Sequence, residues 1–240
     1  MIEFKNLTKK YGSITAVNKV SLKIGRRERV AIVGPSGSGK TTLLRLLAGF
    51  EEPDFGEIFI DGQKVSSQGR VITPPDKRRL GMIFQDLALW PHMTVRENLE
   101  FGLKSQGLKK AQRIEKIQDV LRIVKLDGHL NRYPQSLSEG EKQRVALART
   151  IVLGPEIMLM DEPLSSLDTL LKEELQEMIV ELVRRLNIVL IYVTHDREEA
   201  FAVATQIVVM CKGQIEQIGS IEDLSERPKT EFVKRFVRQR

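Results

Sequence analysis

The sequence of 240 residues is poor in the features that build disulfide networks, metal clusters and membrane spans. Its one cysteine, Cys211, excludes an internal disulfide, and its place in the apolar run 207–211 predicts a buried strand thiol rather than a nucleophile. The three histidines are isolated from one another, which predicts no metal cluster. The longest apolar run, 188–193, is far shorter than a membrane span. Because segment 1–5 lacks the apolar core of a signal peptide, we expect a cytoplasmic protein.

Basic charge is concentrated at the C-terminal end of the chain. The net charge is +6, and residues 227–240 hold six basic residues but only one acid, Glu231. The excess is therefore mostly a property of this end, and we expect no nucleic-acid partner. Two interpretations stay open: a basic tail beside an anionic membrane surface, or a solvated terminal helix.

The strongest motif is segment 34–42, GPSGSGKTT, which fits the pattern G-x-x-x-x-G-K-[ST]. An apolar run, 30–33, precedes it as a predicted strand, and a predicted helix, 43–48, follows it. Such a turn aims backbone N–H groups and the positive end of the helix dipole at a phosphate chain. We expect Lys40 to reach the β- and γ-phosphates and Thr41 to hold Mg²⁺. The predicted cofactor-binding residues of this loop are Gly34, Ser36, Gly37, Ser38, Gly39, Lys40, Thr41 and Thr42.

Three loop residues in the first hundred positions each have two interpretations. Tyr11, after predicted antiparallel strands, could stack on a purine or be a half-buried strand residue. Gln85, after the predicted strand 80–84, could be an ordinary exposed side chain, or its amide oxygen could complete the coordination shell of Mg²⁺. Trp90 lies in a loop whose composition gives no reason for burial, which suggests either a partner contact or a lid. Segment 63–79 has little hydrophobic pattern, and residues 73–76, TPPD, are predicted to force a loop.

A helical pattern covers residues 94–126, and a second helix begins near Ser138. Between them, His129 falls in a loop and is predicted to be plain surface. Ser138 and Glu141 have the spacing of a capping box. With Gly140 allowing close approach, the same helix start could instead be a second phosphate site. The spacing alone does not separate a well-capped helix from a phosphate site.

Polar groups end two further strands that are predicted to be parallel. The apolar run 157–160 is followed by Asp161 and Glu162, and the run 188–193 is followed by His195 after one threonine. In open parallel sheets, ligand chemistry occurs at the carboxyl ends of strands. We expect Asp161 to hold Mg²⁺ and Glu162 to polarise the water that attacks the γ-phosphate.

These motifs together resemble the nucleotide-binding subunit of ATP-binding cassette (ABC) transporters over essentially the whole chain. In chain order, the matching elements are Tyr11 at the adenine, the Walker A loop 34–42, the Q-loop Gln85, the signature 137–141, Asp161 and Glu162 of Walker B, the D-loop 166–168 and the switch His195. Val17 is a further residue that we expect to bind the cofactor. Two residues depart from the family pattern. Glu139 and Glu141 replace Gly and Gln of the signature, which places two extra acids near a polyphosphate.

The resemblance implies a head-to-tail dimer with ATP and Mg²⁺ as cofactors. In such a pair, Ser138 and Gly140 close on nucleotide held by the other copy, and Asp168 couples the two sites. It implies catalytic roles for Glu162 as general base, His195 at the γ-phosphate and Gln85, with Thr41, Gln85 and Asp161 at the metal.

The predicted fold class is α/β: a P-loop NTPase core with a mainly parallel sheet, an N-terminal antiparallel β subdomain and a helical signature subdomain. We expect one ABC ATPase domain over 1–240. Its predicted parts are a core of 1–86 and 155–220, a helical subdomain of 87–154 and a basic C-terminal helix or tail of 221–240.

The function implied by the resemblance is an ATPase subunit that energises solute transport. Residues 74–95 are similar to importer cassettes for sugars, polyamines, sulfate, molybdate or ferric iron, which usually continue into a regulatory domain that we expect to be missing here. Implied partners are transmembrane permease subunits at the inner face of the membrane and, indirectly, a solute-binding protein. The alternatives are a non-transport ABC ATPase and a nucleotide-gated scaffold with weak hydrolysis.

Overall fold

The computed structural model describes residues 1–238, in which two β-sheets and a set of helices enclose two apolar cores. The strands are β1 (Ile2–Tyr11), β2 (Ile14–Ile24), β3 (Arg29–Val33), β4 (Phe55–Ile60), β5 (Gln63–Ser67), β6 (Arg70–Val71), β7 (Leu80–Ile83), β8 (Ile157–Asp161), β9 (Val189–Thr194), β10 (Gln206–Cys211) and β11 (Gln214–Gly219). The helices are α1 (Lys40–Ala48), α2 (Val95–Ser105), α3 (Lys110–Ile123), α4 (Glu139–Ile151), α5 (Thr169–Leu186), α6 (Arg197–Val203), α7 (Ile221–Glu226) and α8 (Glu231–Arg238).

The first sheet is antiparallel and has the order β2-β1-β4-β5-β6. In the pairing of β1 with β2, Ile2 lies opposite Ile24 and Phe4 lies opposite Leu22. All four side chains are buried, because residues two apart along a strand point to the same face of the sheet. This sheet packs its apolar face on α1, the helix that follows the Walker-type loop.

The second sheet has the order β11-β10-β3-β9-β8-β7 and is parallel except for β11. Strands β3, β8 and β9 are buried at every residue, which explains their unbroken apolar sequences. Val33 lies opposite Thr194, and Asp161 lies opposite Val193. The carboxyl ends of these three strands therefore meet at one edge of the sheet, which positions the candidate site.

The helical part of the chain corrects the pattern predicted over 94–126. Two helices, α2 and α3, occupy this stretch, and the chain breaks between them at Gly107, which has φ +70°. Glycine adopts this left-handed conformation without the steric cost of a Cβ atom. The apolar faces of α2, α3 and α4 pack together, with Leu99, Leu121 and Leu147 in their shared core.

Segment 63–79, whose sequence shows little hydrophobic pattern, forms β5, β6 and a short 3₁₀ helix, Pro75–Lys77. The two strands give no hydrophobic signal because they lie at the edge of the sheet and carry mainly polar residues. Cys211 ends β10 and is half-buried rather than buried.

The C-terminal end is packed rather than fully solvated. Val233 of α8 is completely buried in the main core, and Phe236 is 9% exposed. Arg197 of α6 donates a hydrogen bond of 2.7 Å to the Val237 carbonyl. Residues 239–240 of the predicted tail lie outside the described residues. No helix among residues 1–238 combines the length and apolarity that a membrane span requires.

Candidate functional site

The loop between β3 and α1 is built around glycines that admit no side chain. A Cβ atom on Gly34 would lie 2.1 Å from the Met210 carbonyl oxygen, and one on Gly39 would lie 2.1 Å from the Ala16 carbonyl oxygen. Both glycines also have left-handed φ values, +154° and +99°. Of the other loop residues predicted to bind cofactor, Ser36 and Gly37 are exposed, Thr42 is half-buried and Ser38 is buried.

Lys40 lies at the start of α1 with only 5% of its surface exposed. Its Nζ donates to the carbonyls of Gly34 at 2.8 Å and Pro35 at 3.0 Å, so the ammonium group is held against the loop. Burial lowers the pKa of Lys40, while the charges of Glu162 and Asp161 oppose that shift. The Lys40 ammonium is held in place by two backbone carbonyls, and two nearby carboxylates favour its charged form. Such a positioned cation can bind a phosphate chain.

The next residue, Thr41, joins α1 to the end of β8. Its hydroxyl donates a hydrogen bond of 2.9 Å to Oδ1 of Asp161. Burial raises the pKa of Asp161, and the Thr41 hydrogen bond acts against that rise. A hydroxyl beside a single buried carboxylate fits Mg²⁺, which takes oxygen ligands and is usually held by one or two carboxylates together with substrate phosphates. These are the residues that would hold the ion.

Glu162 and His195 face each other across the ends of β8 and β9. Nδ1 of His195 lies 2.9 Å from Oε2 of Glu162. Glu162 has φ +46°, a left-handed conformation that is uncommon for a residue with a side chain, and its N–H donates to the Val193 carbonyl at 2.9 Å. This turn at the strand end aims the carboxylate at the imidazole.

Two of the predicted residues begin helices. The Ser138 hydroxyl accepts from the Glu141 N–H at 3.3 Å at the start of α4, and the Asp168 carboxylate accepts from the Leu171 N–H at 3.1 Å at the start of α5. A Cβ atom on Gly140 would lie 2.9 Å from the side chain of Leu171. Within one chain, Gly140 thus lets α5 pack closely on α4.

Tyr11, predicted to stack on the adenine, and Val17, predicted to bind cofactor, lie in different environments. Tyr11 is 46% exposed and its hydroxyl bonds to Glu51; burial and that carboxylate raise the Tyr11 pKa to about 12. Val17 is 0% exposed in the core between the first sheet and α1, because the alternation of strand 14–24 turns its side chain inward. Its predicted role in cofactor binding stays a prediction.

Gln85 follows β7 at the mouth of a cleft of about 420 Å³. The cleft is also lined by Ser166 of the segment before α5 and by Glu139 and Lys142 of α4. Gln85 thus lies between the helical part of the chain and the end of the parallel sheet. Its predicted roles at the metal and in catalysis stay predictions.

Trp90, in the loop after Gln85, is half-buried although its surrounding sequence gave no reason for burial. Its ring centroid lies 4.6 Å from that of Phe101 and 5.0 Å from the guanidinium carbon of Arg149. The buried amide of Asn98 accepts from the Trp90 N–H at 3.0 Å and donates to its carbonyl at 3.2 Å. Sequence reasoning missed Arg149 and Asn98, because neither lies in a recognisable motif.

Comparison with known proteins decides the family. A family model described as ABC transporter matches residues 17–165, which is more than half of the chain. The chain belongs to the ABC transporter family.

Curated relatives cover nearly the whole chain. It is 44% identical to the spermidine/putrescine import ATP-binding protein PotA of Nitratidesulfovibrio vulgaris, over 99% of the chain and 63% of that protein. It is 46% identical to the sulfate/thiosulfate import ATP-binding protein CysA of Bradyrhizobium diazoefficiens, over 98% and 68%. It is 43% identical to the Fe(3+) ions import ATP-binding protein FbpC of Escherichia coli O157:H7, over 98% of the chain and 66% of that protein. The chain thus spans 63–68% of the length of these relatives.

Solved ABC cassettes have the same fold. A dimeric post-hydrolysis state of the cassette MJ0796, bound to ADP and Pi, matches with a TM-score of 0.80 and 32% identity, over 92% of this chain and 98% of that one. The cassette cbiO1 from Clostridium perfringens matches with a TM-score of 0.85 and 25% identity, over 95% and 91%. The predicted α/β P-loop class is confirmed.

The ABC signature of this chain contains acids, and each of them has a basic partner. Oε1 of Glu141 lies 2.9 Å from Nε2 of His129 and 4.0 Å from Nη1 of Arg132, while Glu139 lies 2.6 Å from Nζ of Lys142. The hydrogen bond from the Ser138 N–H is the largest cause that lowers the pKa of Glu141. The sequence predicts that His129 is a plain surface residue, but in the structure it is a direct neighbour of the signature.

Proposed function

We propose that the chain is an ATP-binding subunit that hydrolyses ATP with Mg²⁺ and thereby energises solute import through separate transmembrane subunits. The observation that carries this proposal is the convergence at one sheet edge. Lys40 and Thr41 follow β3, Asp161 and Glu162 lie at the end of β8, and His195 follows β9. The relatives PotA, CysA and FbpC are all import ATP-binding proteins, which supports the transport role.

In the proposed reaction, the residues of this edge divide the work. Lys40 neutralises charge on the β- and γ-phosphates, while Thr41 and Asp161 hold the ion. When bound, Mg²⁺ supplies Lewis-acid stabilisation of the charge on the phosphate oxygens. Glu162 accepts a proton from the attacking water, whose oxygen bonds to the γ-phosphorus as the bond to ADP breaks. His195 holds the Glu162 carboxylate in place, as its 2.9 Å contact suggests.

The proposed site is completed by a second copy of the chain. Ser138 is exposed at the start of α4, and Asp168 is exposed at the start of α5, so both are available to another molecule. The two MJ0796 cassettes that match this fold are described as dimeric. We infer that Ser138 and Gly140 of one copy close on nucleotide bound to the other, and that Asp168 couples the two sites.

The proposed partner surface for the transmembrane subunits is the cleft beside Gln85 together with Trp90 and Phe101. Phe101 is 54% exposed, and it forms an aromatic pair with Trp90 in the loop that leaves the parallel sheet. Aromatic side chains are enriched at protein interfaces. This surface would place the subunit at the inner face of the membrane, with a solute-binding protein as an indirect partner.

Glu162→Gln tests the proposed hydrolysis, because it keeps the side-chain shape but removes the base. We expect ATP binding to persist, turnover to fall by at least about a hundredfold, and an ATP-dependent dimer to accumulate. The matched control is Glu156→Gln, next to the amino end of the same strand, where the carboxylate pairs with the exposed Arg79 at 3.0 Å. Phosphate release and size-exclusion chromatography measure both effects. Normal turnover by Glu162→Gln would overturn the assignment.

A further inference from the structure

A buried carboxylate, Glu199, lies beneath residues 194–196, the switch loop that carries His195. None of the proposed steps above uses this carboxylate. It belongs to α6 and is 2% exposed. Its Oε2 accepts hydrogen bonds from the Tyr192 hydroxyl at 3.0 Å and the Thr194 hydroxyl at 2.9 Å. Its Oε1 lies 3.1 Å from Nζ of Lys172. Both oxygens of the carboxylate are thus engaged in one closed network.

The network holds the chain on both sides of His195. Thr194 precedes the histidine and is tied to Glu199. Asp196 follows it; its N–H donates to the Thr194 hydroxyl at 3.0 Å, and its carboxylate caps α6. Nζ of Lys172 lies 3.7 Å from Oδ2 of Asp196 as well. The backbone on both sides of His195 is therefore held by one ion pair: Glu199 holds Thr194, and Lys172 lies beside Asp196.

Lys172 brings this network into contact with the start of another helix. It lies in the first turn of α5, which Asp168 caps. Burial and the nearby Glu199 charge raise the pKa of Tyr192 well above its usual range, so its hydroxyl stays neutral. A buried carboxylate is costly unless a cation balances it, so the ammonium of Lys172 sets the preferred distance between α5 and the switch loop. A shift of α5 would move the balancing charge and hence the switch loop.

We propose that Lys172 and Glu199 are positioning residues that couple the D-loop helix α5 to the switch residue His195. The inference rests on the proposed function of His195 beside Glu162. Neither residue touches substrate in this proposal. They set where the imidazole lies, and they transmit displacement of the Asp168 end of α5, which is exposed at the proposed dimer surface.

The test compares Lys172→Met, which removes the charge, with Lys172→Arg, which keeps it. The control is Lys104→Met on α2, whose ammonium lies 3.8 Å from Glu100. The chain has three histidines, so the imidazole NMR signals of His195 can be followed with His92 and His129 as internal references. We expect Lys172→Met to shift only the His195 signals. We also expect it to lower kcat about tenfold, with little change in KM for ATP. Lys172→Arg should restore most of the wild-type kcat and most of the wild-type His195 signal positions.

A second variant separates positioning from folding. Glu199→Gln combined with Lys172→Met removes both charges, so the melting temperature should recover relative to Lys172→Met alone while kcat stays low. Recovery of kcat together with stability, or unchanged His195 signals in Lys172→Met, would overturn the inference. The NMR measurement needs no turnover, so it tests the link between α5 and the switch loop even if the wild-type chain proved unable to hydrolyse ATP.

Discussion

Arg149 fixes the shape of the loop that follows Gln85, and its removal is a sensitive test of that contact. The side chain extends from the last turn of α4, donates to the Leu87 carbonyl at 2.7 Å and also bonds the Ala88 carbonyl. Its guanidinium lies over the Trp90 ring. Leu87 and Ala88 have φ values of +58° and +45°, two successive left-handed residues that need outside support. We expect Arg149→Met to release this loop.

The magnitude follows from the contacts that are lost. A hydrogen bond to a charged group contributes roughly 1.5–3 kcal/mol, and a cation–π contact contributes about 0.5–2 kcal/mol. Water can solvate the freed Ala88 carbonyl, because that residue is exposed, which offsets part of the loss. We therefore expect a net local cost of at least about 2 kcal/mol, which corresponds to an increase of at least roughly thirtyfold in the population of released loop.

The assay uses the fact that Trp90 is the only tryptophan. Its fluorescence reports on this loop without any label. Arg149→Met should increase quenching by acrylamide and shift the emission to longer wavelength, since the ring becomes more accessible to water. Arg122→Met on α3 is the control, because its side chain is exposed and pairs with Asp119 at 3.1 Å. It should leave the fluorescence unchanged.

Two results would refute this reasoning. One is unchanged quenching of Trp90 in folded Arg149→Met. The other is a change in Trp90 quenching that is as large in Arg149→Lys as in Arg149→Met, together with a circular dichroism spectrum that shows loss of helix in α4. That pair of findings would mean that α4 loosens as a whole and that the loop is not released locally. A lysine retains the charge but cannot reach both carbonyls and the ring with one planar group, so we expect Arg149→Lys to be intermediate.

Three further predictions concern binding and stability. Lys40→Ala should abolish ATP binding in calorimetry and ATP-driven dimer formation; a variant that dimerised only with ATP would contradict this. The pKa of Glu141 is lowered, mainly by the Ser138 N–H, so its stabilising effect is complete above its ordinary pKa and is lost as pH falls through the lower folded-state value. Glu141→Gln should therefore reduce the fall in melting temperature between neutral pH and about pH 3. Arg78→Met should lower the free energy of unfolding by at least about 3 kcal/mol in urea titrations, whereas the exposed Arg79→Met should change it little.

The position of the candidate site was predictable because it lies at the ends of strongly apolar strands. The runs before Gly34, Asp161 and His195 are unbroken and hydrophobic, which is the pattern of buried parallel strands. Their polar ends therefore had to meet at one edge. The order of the strands in the sheet did not follow from composition, because it depends on crossovers between segments far apart in the chain.

The failures have two physical causes. Strands β5 and β6 lie at a sheet edge, where polar residues such as Lys64 face water and hide the alternation that marks a strand. The other cause is sequence distance. Arg149 reaches Leu87 and Lys172 reaches Glu199 through the folded chain, and no local pattern indicates that such residues will be neighbours.

The signature shows how structure changes the meaning of a charge count. In sequence, Glu139 and Glu141 add two acids where a partner's nucleotide is proposed to bind. In the fold, Lys142 pairs with Glu139, and Nη1 of Arg132 lies 4.0 Å from Oε1 of Glu141, so each added negative charge has a cation beside it. Ser138 accepts from the helix N–H as a cap, and an accepting hydroxyl still carries its own O–H donor for a phosphate oxygen. The capping role and the proposed phosphate role of this helix start are therefore compatible, and the acids strengthen the cap without leaving uncompensated charge.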